Sequence, residues 1–192
     1  MGKQTFLTLL SALILMSGCS ALASETDVQQ LSEPIVIHGY TLPPKPDPVI
    51  NNSTLLGIDS NNNGVRDDVE IWILKKYKDK HPIYTEIAMQ DARDSKKVFE
   101  DPSNALANYS TVASAGRCAS YYRVCGENNS SIHIEGDLIG RSYKKVVFNT
   151  EARKEAYYQF DLQFSGGVYT VPWCSELKAF CDFNTTKFEQ LP

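Results

Sequence analysis

The chain has 192 residues, 42% hydrophobic and 22% charged, with 11 Gly and 9 Pro, a composition that suits one folded globular domain and excludes a collagen-like or wholly disordered chain. Lys plus Arg number 19 against 23 Asp plus Glu, a formal charge of −4. No average surplus of cations is there to neutralise phosphates, so a nucleic-acid partner is not expected.

At the N-terminus, Met1, Gly2 and Lys3 precede a nearly unbroken apolar run from Phe6 to Met16, followed by Ser17, Gly18 and Cys19. A short basic start and an apolar stretch of about a dozen residues are the parts of a secretory signal, and the stretch is shorter than the roughly 20 residues of a membrane span. No second apolar run of about 18 residues follows, so the rest of the chain is expected to lie outside the bilayer. The stretch Met16-Ser17-Gly18-Cys19 resembles the lipobox of bacterial lipoproteins, with Met16 where Leu is usual. The resemblance implies cleavage after Gly18, a lipid on Cys19 and attachment to a membrane through that lipid. With Ser20 rather than Asp at the next position, it also implies the outer membrane, facing either the periplasm or the cell surface. An ordinary signal peptide cut near Ala21 or Ala23 is the alternative, and it discards Cys19. Cleavage after Gly18 removes Lys3 as its only charge, which takes the balance from −4 to −5.

From Ser20 to about Asn52 the chain is polar and holds Pro34, Pro43, Pro44, Pro46 and Pro48. The stretch Pro43 to Pro48 is expected to be extended polyproline II. The organisation that follows is a signal over 1–18, a lipidated Pro-rich tether over 19–52 and one domain over 53–192. Within the tether, Ile35-Val36-Ile37 is either a short strand docking on the domain or part of a disordered spacer.

The most specific signal is Asp59-Ser60-Asn61-Asn62-Asn63-Gly64-Val65-Arg66-Asp67-Asp68-Val69-Glu70, which fits the calcium-loop pattern D-x-[DN]-x-[DN]-G-x5-E at every defined position. Asp59, Asn61 and Asn63 place oxygens on one side of a turn and Gly64 permits the sharp bend. Val65 offers its carbonyl, Asp67 binds directly or through water, and Glu70 closes the sphere with both oxygens. Average residue frequencies put a chance match on the order of one in a thousand. A metal-free Asx-turn that caps a helix, with Asp67 as N-cap, is the alternative. The loop resembles EF-hand and dockerin-type calcium loops over these twelve positions. It departs from a paired EF-hand in that Pro48, Asn51, Asn52 and Gly57 leave little room for an entering helix, and Arg66 stands where paired hands usually carry an apolar residue. No second loop occurs, so a solitary loop with an exit helix is expected, holding a structural calcium rather than acting as a switch. Three carboxylates and two neutral amides suggest weak affinity, about 10⁻⁵ to 10⁻³ M.

Beyond the loop, Val69, Trp72, Ile73 and Tyr77 predict a helix from Asp67 to about Lys80, ended by His81-Pro82. A second helix runs from Pro82 to about Phe99 on a thin apolar face of Ile83, Ile87 and Val98. Asp101-Pro102 reads as N-cap and first-turn proline of a third, with Leu106, Tyr109, Val112, Ala113 and Gly116 as its stripe, to about Tyr122. Between Ile132 and Phe148, Ile139, Tyr143, Val146 and Val147 fit a helix while Ile132-His133-Ile134 alternates like a strand. A last helix from about Thr150 to Phe164 carries Ala152, Ala156, Phe160 and Phe164, and Gly166-Gly167 ends it. The fold class is mainly α, a small helical domain with a solitary EF-hand-like loop and two disulfides; an α+β fold with a short hairpin near 132–147 is the alternative.

Cys118, Cys125, Cys174 and Cys181 form an even set in an exported chain, which implies two disulfides. Seven residues along a helix separate Cα atoms by about 10.5 Å, beyond disulfide reach, so helical segments must be bridged to each other. Antiparallel segments pair Cys118 with Cys181 and Cys125 with Cys174, parallel segments give the other crossing, and helices that stop early allow local bridges.

Ser142-Tyr143-Lys144-Lys145 and Ser175-Glu176-Leu177-Lys178 both fit S-x-x-K, but the companion motifs of penicillin-recognising enzymes are absent from the sequence. His38, His81 and His133 are scattered without H-E-x-x-H, and neither G-x-S-x-G nor a phosphate-binding glycine loop occurs. Two function classes remain. One is a calcium-binding, membrane-anchored lipoprotein that acts as a structural or protein-binding module in the cell envelope, with an envelope protein as possible partner. The other is an envelope hydrolase on a calcium-stabilised scaffold, its carboxylates converging only in three dimensions.

Overall fold

Two strands too short to bury a face are the first elements of the described residues. In the computed structural model, which describes residues 33–125, 132–136, 138–167, 170 and 172–191, the chain divides between Glu33 and Pro34 into two units. The first, Glu33 apart, lies outside the described residues, and with it the expected signal segment, Cys19 and the start of the expected tether. The second unit opens with β1 (Val36–Ile37) and β2 (Tyr40–Thr41), antiparallel with Val36 opposite Thr41. His38 and Gly39 make the turn at positive φ.

The expected tether is therefore folded from Pro34 onward. Its prolines serve packing and capping: Pro43 is buried, and Pro48 starts the single turn α1 (Pro48–Asn51), where the Asp47 carboxylate accepts from Val49 N and Ile50 N at 2.8 and 3.0 Å. Proline at the first position and Asp at the N-cap are the residues such a start favours.

The helical body follows as α2 (Asp67–Tyr77), α3 (Ile83–Glu100), α4 (Ala105–Val112), α5 (Ser114–Ser120), a π-helical turn (Tyr121–Cys125), α6 (Arg141–Val147), α7 (Glu151–Leu162), α8 (Cys174–Leu177), a 3₁₀ turn (Lys178–Phe180) and α9 (Thr185–Glu189). Helix α3 is the central element and packs on α2, α4, α5 and α7. Its first two turns bury every residue from Ile83 to Gln90, so the apolar face that looked thin in sequence is supplemented by Tyr84, Ala88 and Met89. The hairpin docks on this helix through the His38 ring and Thr85 hydroxyl, 2.8 Å apart, and a Tyr40 hydroxyl that donates to Glu86 at 3.0 Å.

The fold is mainly α, with a small two-stranded hairpin and two disulfides. The hairpin lies at 36–41; Ile132 to Glu135 is irregular and the following segment forms α6, so the alternative of a hairpin near 132–147 is not what forms. Helix α2 ends at Tyr77, three residues early. The helix expected from Asp101-Pro102 starts instead from Asn104, breaks at Ala113 and finishes as the π turn. Its buried residues are Ala105, Ala115, Cys118, Ala119, Tyr121, Tyr122 and Cys125, whereas Leu106 is 73% exposed. Small side chains let α4 and α5 approach α3 closely, and the large Leu faces outward. In α7 the buried row is Arg153, Ala156 and Phe160, with Ala152 outside.

Cys118 bonds Cys181 and Cys125 bonds Cys174, with Cα separations of 4.9 and 5.7 Å. This is the antiparallel crossing. No helix among the described residues is long and apolar enough to cross a membrane.

Candidate metal centre

The loop from Asp59 to Glu70 is entered from α1 through irregular backbone and left by α2, so it has an exit helix only. Its bend is made by positive φ at Asn62 and Gly64, 55° and 86°. At Gly64 the backbone angle disfavours a side chain, and a Cβ would lie 3.3 Å from Arg93 Cγ, close enough that Arg93 would have to shift. The Asp59 carboxylate organises the turn by accepting from Asn63 N at 3.1 Å and Gly64 N at 2.9 Å. Asn61 Oδ1 accepts from Asn63 N, and Asn63 Oδ1 accepts from Val65 N. Val65 is fully buried in the core and pins the loop from beneath. Asp67 N donates to Ile58 O at 2.8 Å and closes the loop's two ends.

Asp67 and Glu70 are the informative pair. Asp67 is 1% exposed and Glu70 0%, yet Asp67 Oδ2 and Glu70 Oε1 have no hydrogen-bond partner among the described residues. Their other oxygens are occupied, Asp67 Oδ1 by Ser60 N at 2.9 Å and Glu70 Oε2 by the Asn61 amide at 3.1 Å. Two buried carboxylate oxygens without a donor are costly, and a bound cation is one of the few ways to offset that cost. Burial pushes the Glu70 carboxyl above its ordinary range; the Asn61 and Asn63 amides oppose this, and Asp67 and Asp59 add to it. Of the metal-free alternative, the Asx turns form, at Asn61 and Asn63, but Asp67 is not the N-cap. That position is held by Arg66, with no side-chain cap, and Asp67 is the first helical residue.

Arg66 explains how a solitary loop is held without a partner hand. Its guanidinium is paired with Asp68 and donates to Val147 O at 3.1 Å and Val146 O at 2.8 Å, capping the last carbonyls of α6. Gly57 lies under its stem: a Cβ there would collide with Arg66 and approach Asn51 Oδ1 to 2.6 Å. A second buried cation, Arg153, joins the same region. It is fully buried and donates to Leu55 O, Asn52 Oδ1, Asn149 Oδ1, Asn51 O and Thr54 O at 2.6 to 3.0 Å. The loop is thereby anchored to α6 on one side, and the segment leading into it to α7 on the other.

Among the described residues no three His, Cys, Asp or Glu side chains cluster closely enough to hold a metal by themselves. A cation here depends on the amide oxygens of Asn61 and Asn63 and the carbonyl of Val65 as well as on Asp59, Asp67 and Glu70, which is how oxygen-rich calcium loops are composed. Of the other sequence candidates, Ser142 and Ser175 are exposed, and Lys178 is paired with Glu189 at 2.7 Å. Neither S-x-x-K motif sets a buried serine beside a lysine. Sequence reasoning missed Arg66 and Arg153 as structural cations. Comparison with family models, with curated proteins and with solved structures gives no match, so function has to be argued from the geometry alone.

Proposed function

We propose that this protein is a calcium-stabilised lipoprotein, anchored in the outer membrane through a lipid on Cys19, that serves as a structural or protein-binding module of the cell envelope. The observation that carries the calcium reading is the pair of orphaned buried oxygens, Asp67 Oδ2 and Glu70 Oε1, within a loop already bent by Asn62 and Gly64. Calcium supplies charge where two buried acids lack donors, and Asp59, Asn61, Asn63 and Val65 complete an oxygen set of the kind it prefers. Anchoring of the loop by Arg66 to α6 makes the site part of the scaffold, which suits a structural ion better than a sensor. The anchor reading rests on the lipobox resemblance at Met16 to Cys19.

The test is a calcium titration of the full chain by calorimetry, with melting curves, beside a variant carrying Asp59→Ala and Glu70→Ala. Saturable binding at about 10⁻⁵ to 10⁻³ M and a raised melting temperature, both lost in the variant, are expected. Absence of binding up to about 10 mM sinks the calcium reading. For the anchor, Cys19→Ser is expected to move the protein from the membrane to the soluble fraction; unchanged fractionation refutes it.

A further inference from the structure

The proline-rich segment and α2 flank an open groove of about 710 Å³. Its apolar walls are Leu42, Pro43, Pro46 and Pro48 from the segment and Ile71 and Trp72 from α2. The Trp72 ring is half-buried and is held by Tyr77 and Tyr143, with ring centres 6.1 and 6.0 Å away. Lys45, Lys75 and Lys76 also line the groove. All three are exposed, and no ion pair among the described residues uses them. The one carboxylate of the lining, Asp68, is already committed: its oxygens accept from Arg66 Nε and Nη2 and from Asn149 Nδ2. Asp47 does not line the groove and turns its carboxylate onto the first amides of α1. From the interior, the buried Arg153 donates to Asn51, Asn52 and Asn149 of the lining, and none of its five acceptors is a carboxylate. Positive charge is therefore in excess at this place, on a chain whose formal charge is −4.

We propose that this groove binds a small aromatic carboxylate, its ring against Trp72 and the prolines and its charge on the lysines. The volume falls inside the range of ligand sites, and apolar walls with a few polar groups are how such sites are composed. The ring is removed from water against the indole and the proline rings, and the carboxylate gains charge-assisted hydrogen bonds from the ammonium groups. Arg153, buried without a counter-charge in contact, adds an attraction that salt screens little. The amides argue against a neutral sugar. The side-chain oxygen of Asn51 is taken by Ile58 N and those of Asn52 and Asn149 by Arg153, and the Asn149 amide nitrogen donates to Asp68, so few hydrogen-bonding groups remain for hydroxyls. The concave shape argues against a flat bilayer surface. None of Asp59, Asn61, Asn63, Val65, Asp67 and Glu70 lines the groove, so the site stands apart from the ion loop and does not rest on the calcium reading.

The test is calorimetry and nuclear magnetic resonance on the full-length protein with naphthoate as probe, and with acetate, naphthalenemethanol and naphthylmethylammonium as head-only, neutral and charge-reversed controls. Naphthoate is expected to bind saturably below about 1 mM, at least about tenfold more tightly than any control. The chain's tryptophans are Trp72 and Trp173, and Trp173 is 80% exposed. In a Trp173→Phe protein the remaining indole N–H resonance, that of Trp72, is expected to shift in step with binding. The double change Lys75→Gln and Lys76→Gln, at exposed positions of α2, is expected to weaken binding about tenfold while the fold is kept. Naphthalenemethanol or naphthylmethylammonium binding as tightly as naphthoate overturns the charge assignment, and acetate binding as tightly overturns the seat for the ring. A Trp72 resonance that does not move at saturation, or native affinity in the folded lysine variant, overturns the location. No naphthoate binding up to about 1 mM overturns the whole proposal.

Discussion

Arg153 shows what a single buried residue can hold together. Its five N–H groups face five neutral oxygens and no carboxylate, and four of those oxygens belong to the segment Asn51 to Leu55, about a hundred residues earlier in the chain. Burial and the nearby Arg66 lower its pKa to about 10, with Asp68 pulling the other way, so the guanidinium stays charged at neutral pH. A planar fork with five donors can serve this set and an ammonium with three cannot. Arg153→Lys is therefore expected to cost about 2–4 kcal/mol, since it leaves buried acceptors unpaired; a urea midpoint equal to that of the native chain counts against this role. Asp91 gives a pH-dependent counterpart. It interacts with Asp94 and Ser95 on α3 and with Tyr143 and Lys144 on α6, while Asp161 on α7 and Tyr109 on α4 line the same hollow. Its proton leaves near 7 in the folded chain but near 3.9 when unfolded. Between those values the folded state holds more proton, so stability falls as pH rises, and the full loss is present above 7. Asp91→Asn is expected to raise the melting temperature by a few degrees at pH 8 and to change it little at pH 5. An equal rise at both pH values would assign the effect to packing rather than charge.

At the scale of elements, what could be read from the chain was whatever is encoded locally. The loop from Asp59 to Glu70 is defined by residues within twelve positions, and its bend at Gly64, at positive φ, follows from the local sequence. Helices α2, α3 and α7 were also readable, because period, flanking proline and the N-cap at Thr150, whose hydroxyl accepts from Arg153 N at 3.2 Å, are near-neighbour properties. The rest depends on distant partners. Pro43 to Pro48 looks like a tether until Arg153 is known to draw Asn51 and Thr54 inward. Arg66 is only a departure from the paired-hand pattern until the carbonyls of Val146 and Val147 are brought to it. The region from Ala105 to Cys125 was misread for a packing reason: hydrophobicity marks Leu106 as core, but close approach to α3 selects Ala105, Ala115 and Ala119 instead. The break at Ala113 then lets the buried face of α5 run on into the π turn, where Tyr121, Tyr122 and Cys125 are buried.

At the scale of the whole molecule, the C-terminal segment has too little core of its own. From Cys174 onward only Leu177 and Phe188 are buried among the described residues, so covalent attachment to α5 and the π turn does what packing cannot. The two bridges are nested, Cys125–Cys174 inside Cys118–Cys181, with sequence separations of 49 and 63. Taken alone, either would remove about 4 kcal/mol of chain entropy from the unfolded state. Once one is closed, however, the other closes only the two short flanks of seven residues, a loop of about 14 that is worth about 3 kcal/mol. The two bridges should therefore be nearly equal in single removal despite their different spans. Paired Ser variants at Cys118 and Cys181, or at Cys125 and Cys174, are each expected to lose about 3 kcal/mol in urea unfolding, and the variant lacking both bridges about 7. A loss confined to one pair would mean that native packing, rather than the constraint on the unfolded chain, sets the value of the bridges.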